Sequence, residues 1–514
     1  MSSIQTAVDQ YDVIVIGSGI GGLTAASLLA KAGRSVLVLE QHDRAGGYAH
    51  GFKRKRYTFD SGVHLISGCG SKGFKGGQVI YKTLRAIEVY SQLEFVKINL
   101  IAAVEFPGLK LSLPSSIDGF ISSIVNVFPE QERGLSDLLV ICLQLTEEVA
   151  KADELLSIGD ATEIQTKLST LFRFKRLSLA EVWDEFIPDK QLQSVFSTQW
   201  PYLGLPPSKV SFVYWATMMI GYLEDGAYYC KGGFQNLADS FVDGLKKQGS
   251  DIQFNSTVKK IRVVDNQVLG VELESNQFIS APVVISNADM RQTVFQLVGD
   301  EFFSKRYIAR LKKMQHSLST FVVYLATDLD LSSLEVHHES FYYDDWDHEL
   351  NYSDSVKSEI TPRWLSITVP TLVDDSLAPV GQHVMQLTRL VSYDKQPNWK
   401  QQKQAYVDAM IAFADTKIPG LKSHLLFVDA GSPTTLERYT SNYKGSAYGW
   451  DVTPEQVGST RAAIDSSIEG LYFTGHWSSP GGGVTGVSYS GMMAAQKVLG
   501  ITRVDEFWQC INTK

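Results

Sequence analysis

Residues 11–40, "YDVIVIGSGIGGLTAASLLAKAGRSVLVLE", decide the fold. The run Val13–Ile16 is unbroken and β-branched, as a parallel strand buried on both faces requires. Gly17-Ser18-Gly19-Ile20-Gly21-Gly22 follows it and fits G-x-G-x-x-G at Gly17, Gly19 and Gly22. Gly17 allows a tight turn, Gly19 lets a pyrophosphate reach the backbone, and Gly22 lets the next helix pack against the strand. That helix is predicted over residues 21–32, stopping at Gly33, and a second apolar strand over 35–39 delivers Glu40. A strand, a glycine turn, a helix and an acid ending the next strand together predict a dinucleotide site. Glu40 suits a ribose diol, and its charge repels a 2′-phosphate, which argues against NADP.

Two further glycine-bearing blocks extend this reading. Residues 41–68, "QHDRAGGYAHGFKRKRYTFDSGVHLISG", carry Arg44, the pair Gly46-Gly47, "FDSG" and His64. A guanidinium and bare backbone amides suit a dianionic pyrophosphate. "KRKR", residues 53–56, reads as the solvated tip of a hairpin rather than a nucleic-acid site. Near the other end, residues 474–491 read "TGHWSSPGGGVTGVSYSG" and pass into a helix. A glycine loop feeding a helix brings backbone amides close to a ligand.

The rest of the chain is ordered around these blocks. Residues 72–224 read as mostly helical, and residues 249–289 alternate as strands with a turn at Asp265-Asn266 and end in "ISNAD". Residues 300–425 read as strands with one helix, Phe321, Val323 and Leu325 alternating with Val322 and Tyr324. The apolar stretch 210–223, "VSFVYWATMMIGYL", is too short to span a bilayer. A buried core helix is the preferred reading, and a helix lining a lipid tunnel or touching a membrane surface is the alternative.

Taken with "YLGLPP" at 202–207, "AYYCKGG" at 227–233 and "GSPTTLERYTSNYKGSAYGW" at 431–450, these blocks resemble FAD-dependent amine-oxidase-like flavoproteins. Within them the resemblance is to the carotenoid desaturase, carotenoid isomerase and retinol saturase group, and "FDSGVH" looks most like the saturases. The resemblance spans nearly the whole chain. It implies an α/β fold: a discontinuous Rossmann-type FAD-binding domain (1–75, 225–300, 426–514) and an inserted α+β substrate domain with a helical region (76–224, 301–425). It implies cofactor contacts from Gly17, Ser18, Gly19, Gly22, Glu40, Gln41, Arg44, Gly46, Gly47 and the backbone of Val258. It adds Gly475, His476, Gly482, Gly483, Val484 and Thr485, the last four at the flavin N1/O2 edge. His476 stands where relatives commonly carry an acid, and it brings a pH-dependent charge. The implied substrate is a hydrophobic polyene that is saturated, desaturated, isomerised or reductively cyclised.

Catalytic candidates are His64, His476 and Trp477, with His64 as a satisfied core histidine the competing reading. An amine oxidase and a non-enzymatic prenyl-binding scaffold are the rival functions. Cys230 is read as structural, since no basic neighbour activates it. His337, His338, Asp344, Asp345 and Asp347 are read as solvated surface, and no metal is expected. The chain has 514 residues, 44% hydrophobic and 20% charged, with net charge −9, which disfavours a nucleic-acid partner. Four scattered cysteines suit a reducing cytoplasm, with peripheral membrane contact as an alternative. "MSSIQTAVDQ" lacks the pattern of a signal peptide. The oligomeric state is not set by any of these features.

Overall fold

A computed structural model describes residues 10–71, 78–395 and 398–513. The leader reading on residues 1–9 and the domain boundary at 75/76 lie outside the described residues.

Val13–Ile16 and Val36–Leu39 are wholly buried and pair in parallel, Val13 opposite Val36 and Ile16 opposite Leu39. They form the middle of a five-stranded parallel sheet ordered Leu471–Phe473, Val283–Ser286, Val13–Ile16, Val36–Leu39, Asp251–Gln253. Parallel strands end together, so Gly17, Glu40, Asn287 and Thr474 share the carboxyl edge, where such sheets bind ligands. The first helix runs Ile20–Lys31, and the C-terminal glycine loop feeds the helix Val484–Val498. Gly491 sits on the first helix so closely that a Cβ there meets the Gly21 carbonyl at 2.3 Å. Strands Val258–Val264 and Gln267–Leu273 are joined at Asp265 and Asn266, both at positive φ, as a type I′ hairpin turn demands. "KRKR" spans the tip of the Gly51–Arg54/Tyr57–Asp60 hairpin.

The second sheet has seven strands, ordered Leu425–Gly431, Ser319–Thr327, His383–Val391, Trp364–Thr368, Glu339–Tyr343, Leu100–Phe106, Leu109–Pro114. Ser319–Thr327 is buried on both sides. Phe321, Val323 and Leu325 pack with Tyr406 and Met410 of the helix Trp399–Lys417, while Val322 and Tyr324 face the main core. Two differences from the sequence reading follow. The 72–224 region is not simply helical: Leu100–Phe106 and Leu109–Pro114 join this sheet through pairing with residues more than two hundred positions away. Residues 426–431, placed with the nucleotide-binding portion, belong to Leu425–Gly431, an edge strand of the seven-stranded sheet.

The apolar stretch forms the helix Phe212–Glu224. Phe212, Trp215, Ala216, Met219, Ile220 and Leu223 enter the core, and Val213, Tyr214, Thr217, Met218, Gly221 and Tyr222 line a cavity. The helical period thus splits the stretch into a packed face and an open one, and the core reading accounts for only half of it. Among the described residues, no helix is long and apolar enough to cross a membrane.

Candidate functional site

The nucleotide end is built on the carboxyl edge of the parallel sheet. Ser18 donates to Glu40 Oε2 through both its backbone N–H, at 2.7 Å, and its hydroxyl, at 2.6 Å, and His42 N–H donates to Oε1 at 2.8 Å. The carboxylate is therefore held in one orientation, with lone pairs to spare for a ligand hydroxyl. The Ser256 N–H donates to the Glu40 carbonyl, which brings the segment leading into Val258 alongside. Gly46 N–H donates to the Ser18 carbonyl, and a Cβ on Gly47 would stand 3.1 Å from Gly19 Cα, so the second glycine pair lies on the first turn.

Asn287 was not singled out from sequence, yet its side chain organises this end. Hypothetical Cβ atoms on Gly19, Gly21 and Gly475 would lie 2.7, 2.9 and 2.6 Å from its amide atoms. The glycines of both blocks therefore admit the asparagine as well as leaving backbone open to a ligand. Gly475 N–H is held by Ser490 Oγ. Arg44 lies apart from the turn: its guanidinium binds Asp43 and the Gly51 carbonyl in a groove of about 820 Å³ shared with His42, His50 and Tyr439. Gln41 bonds Ser441 rather than the turn.

The residues present fit a dinucleotide bearing a flavin. The helices Ile20–Lys31 and Val484–Val498 both start at a glycine, with no side-chain cap and no acid in the first turn. Each leaves N–H groups and a positive dipole end for an anion. A Cβ on Gly483 would meet nothing within 4 Å, so the backbone that opens the second helix borders empty space.

His476 and Trp477 follow that edge strand. Both donate to Asn442 Oδ1, His476 through Nε2 at 3.2 Å and Trp477 through Nε1 at 2.7 Å. Trp477 is 1% exposed and packs edge-on to Trp450, a core position and not a cavity wall. Burial, and then the charge of Arg461, push His476 down to about 3. The sequence expectation of a pH-dependent charge at His476 is thus corrected: it is a neutral imidazole throughout the ordinary range. Arg461 is itself buried and donates to the carbonyls of Trp450, Gln456, His476 and Ser478.

A cavity of about 1770 Å³ opens from the start of the Val484 helix between the two sheets. Its lining includes Gly482–Thr485, His64, Val322, Leu390 and Met218, with tyrosines 202, 214, 222, 448 and 489. Tyr214 donates to the Gly482 carbonyl at 3.0 Å, and Thr485 donates to the Ser67 carbonyl at 2.9 Å. The segment carrying His64 is thereby tied to the first turn of that helix. His64 is buried and lines this cavity. Its Nδ1 lies 2.8 Å from Oε2 of Glu339, which is 1% exposed and also accepts from Ser366 and Thr368. Burial pulls the His64 imidazole down, but Glu339 outweighs it, and the net direction is up. Burial likewise opposes ionisation of Glu339, and His64 turns its net shift downward.

Glu339 escaped the sequence reading, and its neighbour was misplaced. His338, taken as solvated surface, is buried and binds the His64 carbonyl at 2.9 Å. An acid within "HESFYY", a run patterned for a buried strand, was the available signal, since a buried carboxylate needs a partner. The three aspartates do stay near the surface, Asp347 capping the helix His348–Lys357. Among the described residues no cluster of ligands could hold a metal. Cys230 is buried and its thiol is pushed up to about 12, chiefly by burial, as a structural cysteine requires.

Comparison with known proteins agrees with this architecture. Prolycopene isomerase of Daucus carota is 27% identical over 516 residues, covering 95% of this chain and 80% of the relative. All-trans-retinol 13,14-reductase of Homo sapiens is 26% identical over 511 residues, covering 91% and 82%. Among solved structures, putrescine oxidase bound to putrescine shares the fold with a TM-score of 0.65 at 13% identity, covering 96% of this chain and 99% of that one. An oxidoreductase from Methanosarcina mazei reaches 0.63 at 17% identity, covering 94% and 99%. The family model for flavin-containing amine oxidoreductases matches residues 20–499. A glycine-lined dinucleotide edge, a second glycine-fed helix and a full-length family match thus converge: the chain belongs to the flavin-containing amine oxidoreductase family.

Proposed function

We propose that this protein is an FAD-dependent enzyme acting on carbon–carbon double bonds of a lipophilic polyene, carotenoid-like or retinoid-like, by saturation, desaturation or cis/trans isomerisation. The observation that carries this reading is the cavity beside the flavin end. At about 1770 Å³ it exceeds the roughly 300–1,000 Å³ of ordinary ligand sites, and its walls are aliphatic and tyrosine-rich, which suits a long apolar ligand. The two polyene-acting relatives align along most of this chain, whereas the amine-oxidising structures share the fold at far lower identity.

FAD, when bound, supplies hydride and electron transfer. The chain supplies position and electrostatics. In this reading the Gly17–Gly19 turn and Gly46-Gly47 hold the pyrophosphate and Glu40 the ribose. The uncapped Val484 helix start faces the flavin ring edge, where its dipole favours negative charge. Tyr214 fixes Gly482, and the cavity walls exclude water from the polyene.

The test fills the cavity without touching the nucleotide edge. Gly221 lines the cavity, and a Cβ there would meet only Ser67 Oγ at 3.4 Å. Gly221→Phe is expected to keep the flavin absorbance and to weaken binding of a polyene, read as quenching of protein fluorescence, by about tenfold or more. Unchanged polyene binding in that variant would refute the cavity assignment.

A further inference from the structure

His64 lines the cavity and forms a buried ion pair with Glu339 beside it. Removing two charges from water costs several kcal/mol that a structural role recovers poorly, so such a pair in a cleft marks chemistry. Its geometry is directional. Nδ1 stands 2.8 Å from Glu339 Oε2 as a charge contact rather than an aligned hydrogen bond, and Nε2, the other nitrogen of this cavity-lining ring, takes no protein hydrogen bond among the described residues. Beside it, 5.8 Å from ring to ring, Tyr202 lines the same cavity and interacts with Glu339. Three residues on, Ser67 joins the first turn of the helix assigned to the flavin edge. A polar group with an open nitrogen therefore stands between the flavin end and the apolar walls.

We propose that His64 is the proton-transfer residue of this cavity and that Glu339 is its positioning residue, the pair exchanging a proton between Nε2 and a carbon of the bound polyene. The inference rests on the polyene reading above. In the step, the N–H bond at Nε2 breaks and a C–H bond forms from the π pair of one double bond, leaving a cation delocalised along the conjugated chain and a neutral imidazole. For saturation, the bound flavin in its reduced form would supply the balancing hydride to the neighbouring carbon. Without that hydride, rotation about the weakened bonds and return of the proton to Nε2 gives isomerisation with no net redox change.

The groups facing His64 set its protonation. Glu339 favours the charged ring, as does Asp60 on the hairpin strand, whose carboxyl is itself pushed up to about 6, first by burial. His338 is held neutral by burial and adds little charge, and Tyr202 and Tyr222 are pushed well above their usual range by burial. His64 must be protonated to act as the acid, so kcat/KM falls on the alkaline side, above the ordinary histidine value.

The experiment uses the flavin-loaded full chain, an all-trans and a cis polyene, and His64→Gln and Glu339→Gln variants. His64→Gln is expected to lose about 100-fold or more in kcat with KM within about threefold. Glu339→Gln should lose about tenfold and move the alkaline limb to lower pH. Nitrogen-15 NMR of histidine-labelled holoenzyme without substrate should show the His64 imidazolium persisting to higher pH in the wild type than in Glu339→Gln. A His64→Gln enzyme within about threefold of wild-type kcat overturns the inference alone. If that variant fails to fold, a neutral wild-type His64 below pH 6 overturns it and an imidazolium supports it. A flavin-loaded wild type that converts neither polyene overturns the functional reading, and this inference with it.

Discussion

His64 and His476 are the same residue type in two buried settings, and their surroundings drive them apart. His64 is buried beside a carboxylate, and its shift is upward. His476 is buried beside a guanidinium and two amide-bound rings, and it is pushed down to about 3. Burial alone lowers any histidine, so the sign at His64 comes from Glu339. In the proposed account His64 carries the proton at the cavity wall, whereas His476 is a neutral hydrogen-bonding group paired to Asn442. The pH consequences also differ. The His64 contribution to stability is complete below about 6.5 and is lost as pH rises through its raised folded value; that of Glu339 is lost as pH falls through its lowered one. His476 acts oppositely to His64: between its ordinary value and about 3 the unfolded chain binds a proton that the folded chain refuses, so stability falls with acid.

The largest effect comes from removing the cofactor that gives the contrast its meaning. Gly19→Val places a branched side chain where even a Cβ lies 2.7 Å from Asn287 Nδ2 and where the pyrophosphate must approach. Flavin occupancy of the purified variant is expected to drop by more than about 100-fold, and full occupancy would contradict the placement of the turn. Next is the cation behind His476. Arg461→Met strands four buried carbonyls and should lower unfolding stability by about 3 kcal/mol in denaturant titrations, while letting His476 titrate at higher pH. Arg461→Lys restores charge without the fork and should recover only part of that loss. The smallest effect is His476→Asn. It keeps a neutral polar group, so stability at pH 7 should change by less than about 1 kcal/mol, and the decline between pH 6 and pH 4 should flatten. An undiminished acid decline would transfer it to another buried group, of which His348, at about 4, is the nearest in character.

The nucleotide end was legible because its determinants are local: one strand, one turn and one acid lie within thirty residues of each other, and backbone freedom is written as glycine. The C-terminal loop was legible for the same reason. Glu339 was not, because strand pairing with Trp364–Thr368 brings Thr368 to it and a separate long-range contact brings His64. Asn287 hid inside "ISNAD", where its side chain matters only once two glycine blocks meet around it. Strand 100–106 was missed because its partner Glu339–Tyr343 lies far along the chain, and its hairpin mate 109–114 was missed with it among helical neighbours that dominated the local pattern. Tertiary pairing wrote these features, and no window of sequence contains it.

The most direct measurement is anaerobic incubation of fully reduced, flavin-loaded protein with a cis and an all-trans polyene, followed by mass and isomer analysis of the recovered lipid. The account predicts either a gain of two hydrogens or an altered isomer at unchanged mass, at a rate that falls in His64→Gln. Recovery of both polyenes unchanged, with turnover of a primary amine by the oxidised protein instead, would contradict it.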